Sequence, residues 1–520
     1  MGHKMSFREF SNNLFVFACF TLSASIPVSK FTTSVSLLLM ALAWVMQWNW
    51  QEKKQQFLAK RKLFFITTIA YYVFVIGVFY SSDLGYALHD LKIKIPLFAL
   101  PVLFLTGVQL SKNQILTALS LLSASAVVAT IIGVVNYNIT LGTSEEIFNL
   151  RALSPFISHI RLTLILSFGV GLSLWAIIQL KTNLRWLLII PVLWVVYFVF
   201  LIGNLTGVII LPLIVLLFTI SYLYRYSSKL AILIVLFSCT AICFSMVKVF
   251  NVYEIVFNNK QYKQEPNQTK LGNNYTHDLS RKDTENGMLT WSYVCENELE
   301  TSWNLRSDKL YNGTLNGFPF KDVLVRYLTS KGVRKDSESV NQLSEKDVIA
   351  IEKGVANVFY TENSELLSRI HTSFCELKNL KNNGYVNGSS ITMRLEYWKT
   401  GWEIFTNHLV FGVGTGDIKQ LYQETYKANK SKLELKYQRR SHNQYLSLLV
   451  TSGVVGLLFF LFACIYPIIN YKGELKFLYL MGLVIFLVSM FWEDTIESQA
   501  GCTTFALLTS MFIFSKKTRA

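Results

Sequence analysis

Residues 205–223 read LTGVIILPLIVLLFTISYL, a run without a single charge. A helix needs about 20 such residues to cross the hydrocarbon core of a bilayer, so this stretch reads as a membrane span. The same pattern recurs outward in both directions. Towards the N-terminus it appears near 12–28, 33–49, 63–80, 91–108, 114–136, 159–179 and 185–202, and it follows at 230–250. After a long polar block, three more runs lie near 443–469, 475–491 and 500–515. The expectation is an all-α polytopic membrane protein of about twelve transmembrane helices. The fourth run carries Asp90, Lys92 and Lys94 at its start and contains Pro96 and Pro101, so it reads as beginning on the membrane surface. The first run has many successors and reads as a retained helix rather than a cleaved leader.

Composition agrees. Hydrophobic residues make up 52% of the 520 positions and charged residues 16%, against roughly 25% charged in a soluble domain. A soluble enzyme, a disordered regulator and a disulfide-rich scaffold are excluded on that ground. The net charge of +16 does not point to nucleic acid. Residues 251–440 hold 26 Lys/Arg against 23 Asp/Glu, while the other 330 hold 23 against 10. The excess therefore lies in the apolar part, where basic residues mark cytoplasmic loops.

That bias orients the chain. With the N-terminus inside, inner segments carry Lys4 and Arg8, then Lys53, Lys54, Lys60, Arg61 and Lys62. Later inner segments carry Lys112, Lys181, Arg185, Arg225, Lys229, Lys472 and Lys476, and the chain ends on Lys516, Lys517 and Arg519. The short outer loops carry Lys30, Arg151 and little else. Both termini are expected in the cytoplasm of a bacterial inner membrane. The expected organisation is a membrane domain over 1–250, a periplasmic and mainly helical domain over 251–440 between the ninth and tenth spans, and a C-terminal membrane segment over 441–520. The outer block contains Trp291, Trp303, Trp398 and Trp402 and a helix-like stretch at 344–359 opened by a Ser344/Asp347 cap pattern. It reads as folded rather than as a linker. Cys295 and Cys375 either pair there or stay as separate thiols, and no C-x-x-C spacing points to metal.

The polar residues that call for explanation gather at the outer rim. Arg439-Arg440-Ser441-His442-Asn443 precedes the tenth span, and Gly453 and Gly456 follow inside that span. His159 and Arg161 open the sixth span, Arg394 opens an amphipathic stretch, and Glu493, Asp494 and Glu497 lie between the last two spans. Each residue alone reads equally as an ordinary interfacial anchor. Their shared side suggests a site for an anionic, membrane-embedded substrate. The turn Gly412-x-Gly414-x-Gly416 is either a tight loop or a set of backbone N–H groups for phosphate.

His442-Asn443, nine residues, then Gly453-x-x-Gly456, preceded by Arg394, Trp398 and the glycine turn, resembles the signature of the bacterial O-antigen ligases. Their superfamily includes O-antigen polymerases and protein O-oligosaccharyltransferases. The specific motifs fall within about 389–460, and residues 251–388 take no role from the resemblance. It implies a metal-independent, inverting glycosyltransferase without cofactors. The donor would be a glycan on undecaprenyl pyrophosphate and the acceptor a hydroxyl of lipid A–core or a similar surface molecule, both among membrane lipids. It casts His442 as the base or acceptor-orienting group, and Arg161 and Arg394 as catalytic holders of the pyrophosphate. Arg439, Arg440, Asn443, Glu493, His159 and Gly414 would line the substrate site. A polymerase joining lipid-linked repeats would need the same pyrophosphate site. A transporter fits less well, because ionisable residues gather at one face rather than at mid-membrane. A scaffold anchored by twelve spans ranks last.

Replacing His442 by Ala is expected to lower glycan transfer by about 10²–10⁴-fold with normal membrane insertion. Arg161→Lys and Arg394→Lys keep the charge but lose the planar fork, and severe loss is expected there too. Transfer assays on membranes with matched protein levels check this; a fully active His442→Ala protein would remove the assignment.

Overall fold

The computed structural model describes residues 6–141, 150–224, 227–260, 267–315, 317–384 and 386–515. Lys4, Arg225, Lys516, Lys517 and Arg519, used above for orientation, lie outside them, as does the side chain of Arg151. The first part of the chain is helical: α1 (Phe7–Ser25), α2 (Lys30–Met46), α3 (Trp50–Val78), α4 (Leu84–Lys94), α5 (Pro96–Thr106), α6 (Lys112–Leu141), α7 (His159–Gln179), α8 (Ile189–Ile202), α9 (Leu205–Leu223) and α10 (Ser228–Phe257). Six helices follow, α11 (Glu296–Asn304), α12 (Phe320–Ser330), α13 (Ser337–Asn341), α14 (Glu345–Glu352), α15 (Phe359–Glu362) and the longer α16 (Glu365–Asn383). Two small antiparallel ribbons, Thr284–Glu285 with Met288–Leu289 and Thr314–Leu315 with Phe318–Pro319, are interleaved among them. The chain ends with α17 (Ser390–Asn407), α18 (Ile418–Ala428), α19 (Gln444–Asn470), α20 (Lys476–Ser489) and α21 (Gln499–Phe514).

Each apolar run expected from the sequence falls on one helix, except the fourth. Among the described residues, 7 helices are long and apolar enough to cross a membrane: Trp50–Val78, Lys112–Ile139, His159–Gln179, Asn183–Ile202, Thr206–Leu223, Ser228–Phe257 and Gln444–Asn470. Lys30–Met46, Lys476–Ser489 and Gln499–Phe514 are apolar but shorter. The run expected over 91–108 is divided. It is two helices of 11 residues, α4 and α5, meeting at Ile95–Pro96. Pro96 cannot continue the ladder of α4 because it has no N–H, and it starts α5 instead. Ile95 itself keeps helical angles (φ −45°, ψ −39°), so the chain continues through this junction.

Contacts divide the chain into two units. The first comprises residues 1–234 and 394–520, and the second residues 235–393. The polar block was expected to run from 251 to 440, but residues 394–440 pack with the membrane helices. The second unit has its own core around Leu299, Trp303, Leu324, Tyr327, Leu328 and Ile351. Its α14 begins with the Ser344/Asp347 capping box, each side chain meeting the other's backbone. It ends well before residue 359, because Gly354 turns the chain with φ +87°. Cys295 and Cys375 are separate thiols.

In the first unit, α19 is broken at Gly453 (φ +63°, ψ −165°). A break in an apolar span leaves peptide groups that must find partners. The segment 409–416 supplies them. Val413 N–H and Gly414 N–H donate to the carbonyls of Val450 and Thr451 at 2.9 Å each, and Val454 N–H donates to the Leu409 carbonyl at 2.9 Å. The same segment is tied to the end of α3, where Thr415 Oγ1 donates to the Phe74 carbonyl (2.6 Å) and Gly416 N–H to Ser81 Oγ (2.8 Å). The two glycine motifs are therefore halves of one joint. A Cβ on Gly453 would run into the backbone of Val410 and Phe411. Gly453→Ala is expected to destabilise the chain by at least about 1–3 kcal/mol from backbone strain alone. A thermal melt of the purified protein checks this, and an unchanged midpoint would contradict the joint.

Candidate active site

The segment before α19 is held by the elements around it. Ser441 is fully buried, and its carbonyl accepts Trp398 Nε1–H of α17 at 2.9 Å. The Arg439 carbonyl accepts the Tyr426 hydroxyl of α18 at 2.8 Å. His442 then takes a left-handed backbone, φ +46°, a conformation that costs energy for a residue with a Cβ. Its N–H donates to Asp494 Oδ2 at 3.2 Å, and the Ser447 hydroxyl donates to Asp494 Oδ1 at 2.7 Å. Asp494 thus holds the strained turn against α19. Asn443 caps that helix, its Oδ1 accepting Leu446 N–H at 3.1 Å.

The turn between α20 and α21 brings three carboxylates to the same place, and two of them, Glu493 and Glu497, meet basic groups from elsewhere. Glu493 Oε1 accepts Arg161 Nη2 of α7 at 3.2 Å, and the same Nη2 donates to the Asp494 carbonyl at 3.2 Å. Glu497 Oε2 is 2.6 Å from Lys94 Nζ and 3.4 Å from Arg440 Nη2, while its Oε1 accepts Gln444 Nε2 at 3.0 Å. Lys94 also pairs with Asp90 at 2.6 Å and has 0% side-chain exposure. Burying such charges is costly unless they are matched in this way. Burial would push the Glu497 carboxyl up, but Lys94 and Arg440 outweigh it and hold it at about 2.

His442 sits among these groups with 28% of its side chain exposed. Nδ1 lies 3.9 Å from Glu493 Oε2, too far for a hydrogen bond. The ring is 5.7 Å from that of Tyr397. Burial pulls the imidazole below its ordinary value; Asp494 and Glu493 oppose that, and Arg394 and Arg439 add to it. Near pH 7 the ring is therefore neutral and able to accept a proton. The buried nitrogens His442 Nδ1, Arg161 Nε and Arg440 Nη1 make no hydrogen bond. Unsatisfied buried polar groups are rare in folded proteins.

The structure brings Arg161 and His442 to Glu493 and sets Arg440 against Glu497 on the same turn, with Arg394 and Arg439 acting on His442 through charge. His159 stands half-buried in the first turn of α7, two residues from Arg161. Gly414 is corrected. Its N–H donates to Thr451, and Ser81 Oγ and the Gly77 carbonyl stand 2.7 and 2.8 Å from where a Cβ would lie, so it is a packing residue. Asn443 likewise has its carbonyl oxygen committed to the cap. Sequence reasoning passed over Asp90 and Lys94, read there as part of an interfacial helix. Their i,i+4 spacing beside apolar residues was the available signal. Among the described residues no three His, Cys, Asp or Glu side chains gather as for a metal ion.

Residues 354–461 match the family model described as O-Antigen ligase, which supports assignment to the O-antigen ligase family. No curated protein matches the chain. The matched segment contains Arg394, Arg439, Arg440, His442 and both glycine motifs.

Proposed function

We propose, from the O-antigen ligase match and the arrangement around His442, that this membrane protein transfers a glycan from undecaprenyl pyrophosphate to a hydroxyl of lipid A–core or a related surface acceptor. The reaction takes place at the periplasmic face of the inner membrane, with both termini in the cytoplasm. The observation that carries the reading is a neutral, partly buried histidine held in a strained turn beside arginines that retain unpaired N–H groups.

His442 accepts the proton of the acceptor hydroxyl as its oxygen attacks the anomeric carbon. The bond from that carbon to the pyrophosphate oxygen breaks, and the lipid pyrophosphate leaves with the electron pair. Attack from the side opposite the leaving group inverts the anomeric centre. Arginine suits the departing charge because it is always protonated and donates in a fixed planar fork. Arg161 and Arg440 offer Nε and Nη1, and Arg394 and Arg439 add positive charge nearby. Glu493 orients Arg161 and faces Nδ1 of His442. Asp494 is a positioning residue that fixes the histidine backbone.

Purified protein given lipid-linked glycan and acceptor is expected to form product without an ion gradient; absence of product with active lipid donor would sink the reading. In a deletion strain, free lipid-linked glycan should accumulate. Single repeats attached to core would mean that the chain polymerises instead.

The histidine sets a pH limit. Its neutral form is the base, so activity falls as pH drops through its value in the protein, which lies below the ordinary 6.5. Asp494 raises that value, so Asp494→Asn is expected to move the acid limb of kcat to lower pH, while the amide can still accept His442 N–H and donate to Ser447. A pH–rate profile that stays in place or moves upward would contradict His442 as the base.

A further inference from the structure

The ionic cluster behind Arg440 holds more negative charge than Lys94 needs. Asp90, four residues earlier on α4, already pairs with Lys94 at 2.6 Å. Glu497 adds a second carboxylate at the same distance, and the charge it leaves over faces Arg440. The three partners of Glu497 come from α4, from the segment before α19 and from the first residue of α19. Gln444 is itself fixed, since its Oε1 accepts Ile496 N–H at 3.0 Å and its N–H donates to the Met490 carbonyl at 2.9 Å. Glu497 is thus gripped closely from behind by Lys94 and Gln444, and holds Arg440 more loosely at 3.4 Å. Arg440 Nη1, the other arm of that guanidinium, is buried without a partner.

We propose that Glu497 is a positioning residue for the donor: its carboxylate sets the guanidinium of Arg440 so that Nη1 is presented to a phosphate oxygen of the lipid pyrophosphate. This rests on the glycan-transfer reading above. A guanidinium held by one nitrogen pair has its remaining N–H directions fixed by its planarity, so it binds a phosphate oxygen without further ordering. The low carboxyl value of Glu497 means that it keeps its charge throughout the working range.

The test compares the full-length wild-type chain with Glu497→Asp in detergent, using undecaprenyl pyrophosphate without glycan as the probe. Aspartate keeps the charge but withdraws the carboxylate by one methylene. The expected result is a variant that melts like the wild type, binds the probe about tenfold more weakly, shows donor KM raised to match, and keeps kcat within about threefold. A variant that binds the probe like the wild type would overturn the proposal, whatever its melting point. Should Glu497→Asp fail to accumulate, the charge-balanced pair Lys94→Met with Glu497→Gln is expected to show the same loss of probe binding, and wild-type affinity in it would overturn the proposal equally. A wild-type chain that does not bind the probe at all would sink the glycan-transfer reading and this inference with it. Normal binding by both wild type and variant sinks only the inference.

Discussion

The site depends on matching buried positive charge with buried carboxylate. Arg161, Lys94 and Arg440 stand at the edge of an apolar helical assembly, where an unmatched cation is expensive. Glu493 and Glu497, both on the turn between α20 and α21, supply the counter-charge, and Asp494 between them takes a backbone N–H. The consequence is geometric as well as electrostatic. Segments that share no sequence neighbourhood, the end of α4, the start of α7 and the approach to α19, converge on one short turn.

That convergence explains how a strained histidine persists. A left-handed backbone at His442 needs surroundings that over-determine it. Asp494 receives its N–H, Trp398 and Tyr426 hold the carbonyls of Ser441 and Arg439, and Asn443 starts the helix immediately after. The broken α19 with the loop 409–416 lies one step further out. It gives the helix a bend whose freed peptide groups are satisfied by protein, as a span in lipid requires. A rigid frame of this kind fixes the histidine and several cations in one arrangement.

Residues 235–393 form a second unit with its own apolar core and its own satisfied polar knots. One is the buried His371, whose ring nitrogens meet Tyr360 and Asn286 and whose ring stacks on Phe359. Burial pushes that imidazole down to about 4, as for a histidine that serves packing and hydrogen bonding. The contrast with His442 is instructive. One histidine has a hydrogen-bond partner for both ring nitrogens, and the other has a buried nitrogen without one.

Much was legible from residue order because the physics involved is local. Apolar runs of bilayer length and a cap pattern at Ser344 depend only on neighbours along the chain, and apart from the fourth, divided at Pro96, the helices lie where those runs predicted. The rim residues Arg161, Arg440, His442 and Glu493 were also recognisable, because charge beside apolar sequence is rare enough to stand out. Tertiary structure alone decided what each of them touches. Glycine spacing did not reveal whether 412–416 cups a phosphate or closes a break, since that depends on Gly453 lying alongside it, some forty residues later. Asp90 and Lys94 looked like surface charges until Glu497, 403 residues away from Lys94, was brought against them. Pairing energies between distant charges exist only after folding, so no reading of the chain in order recovers them.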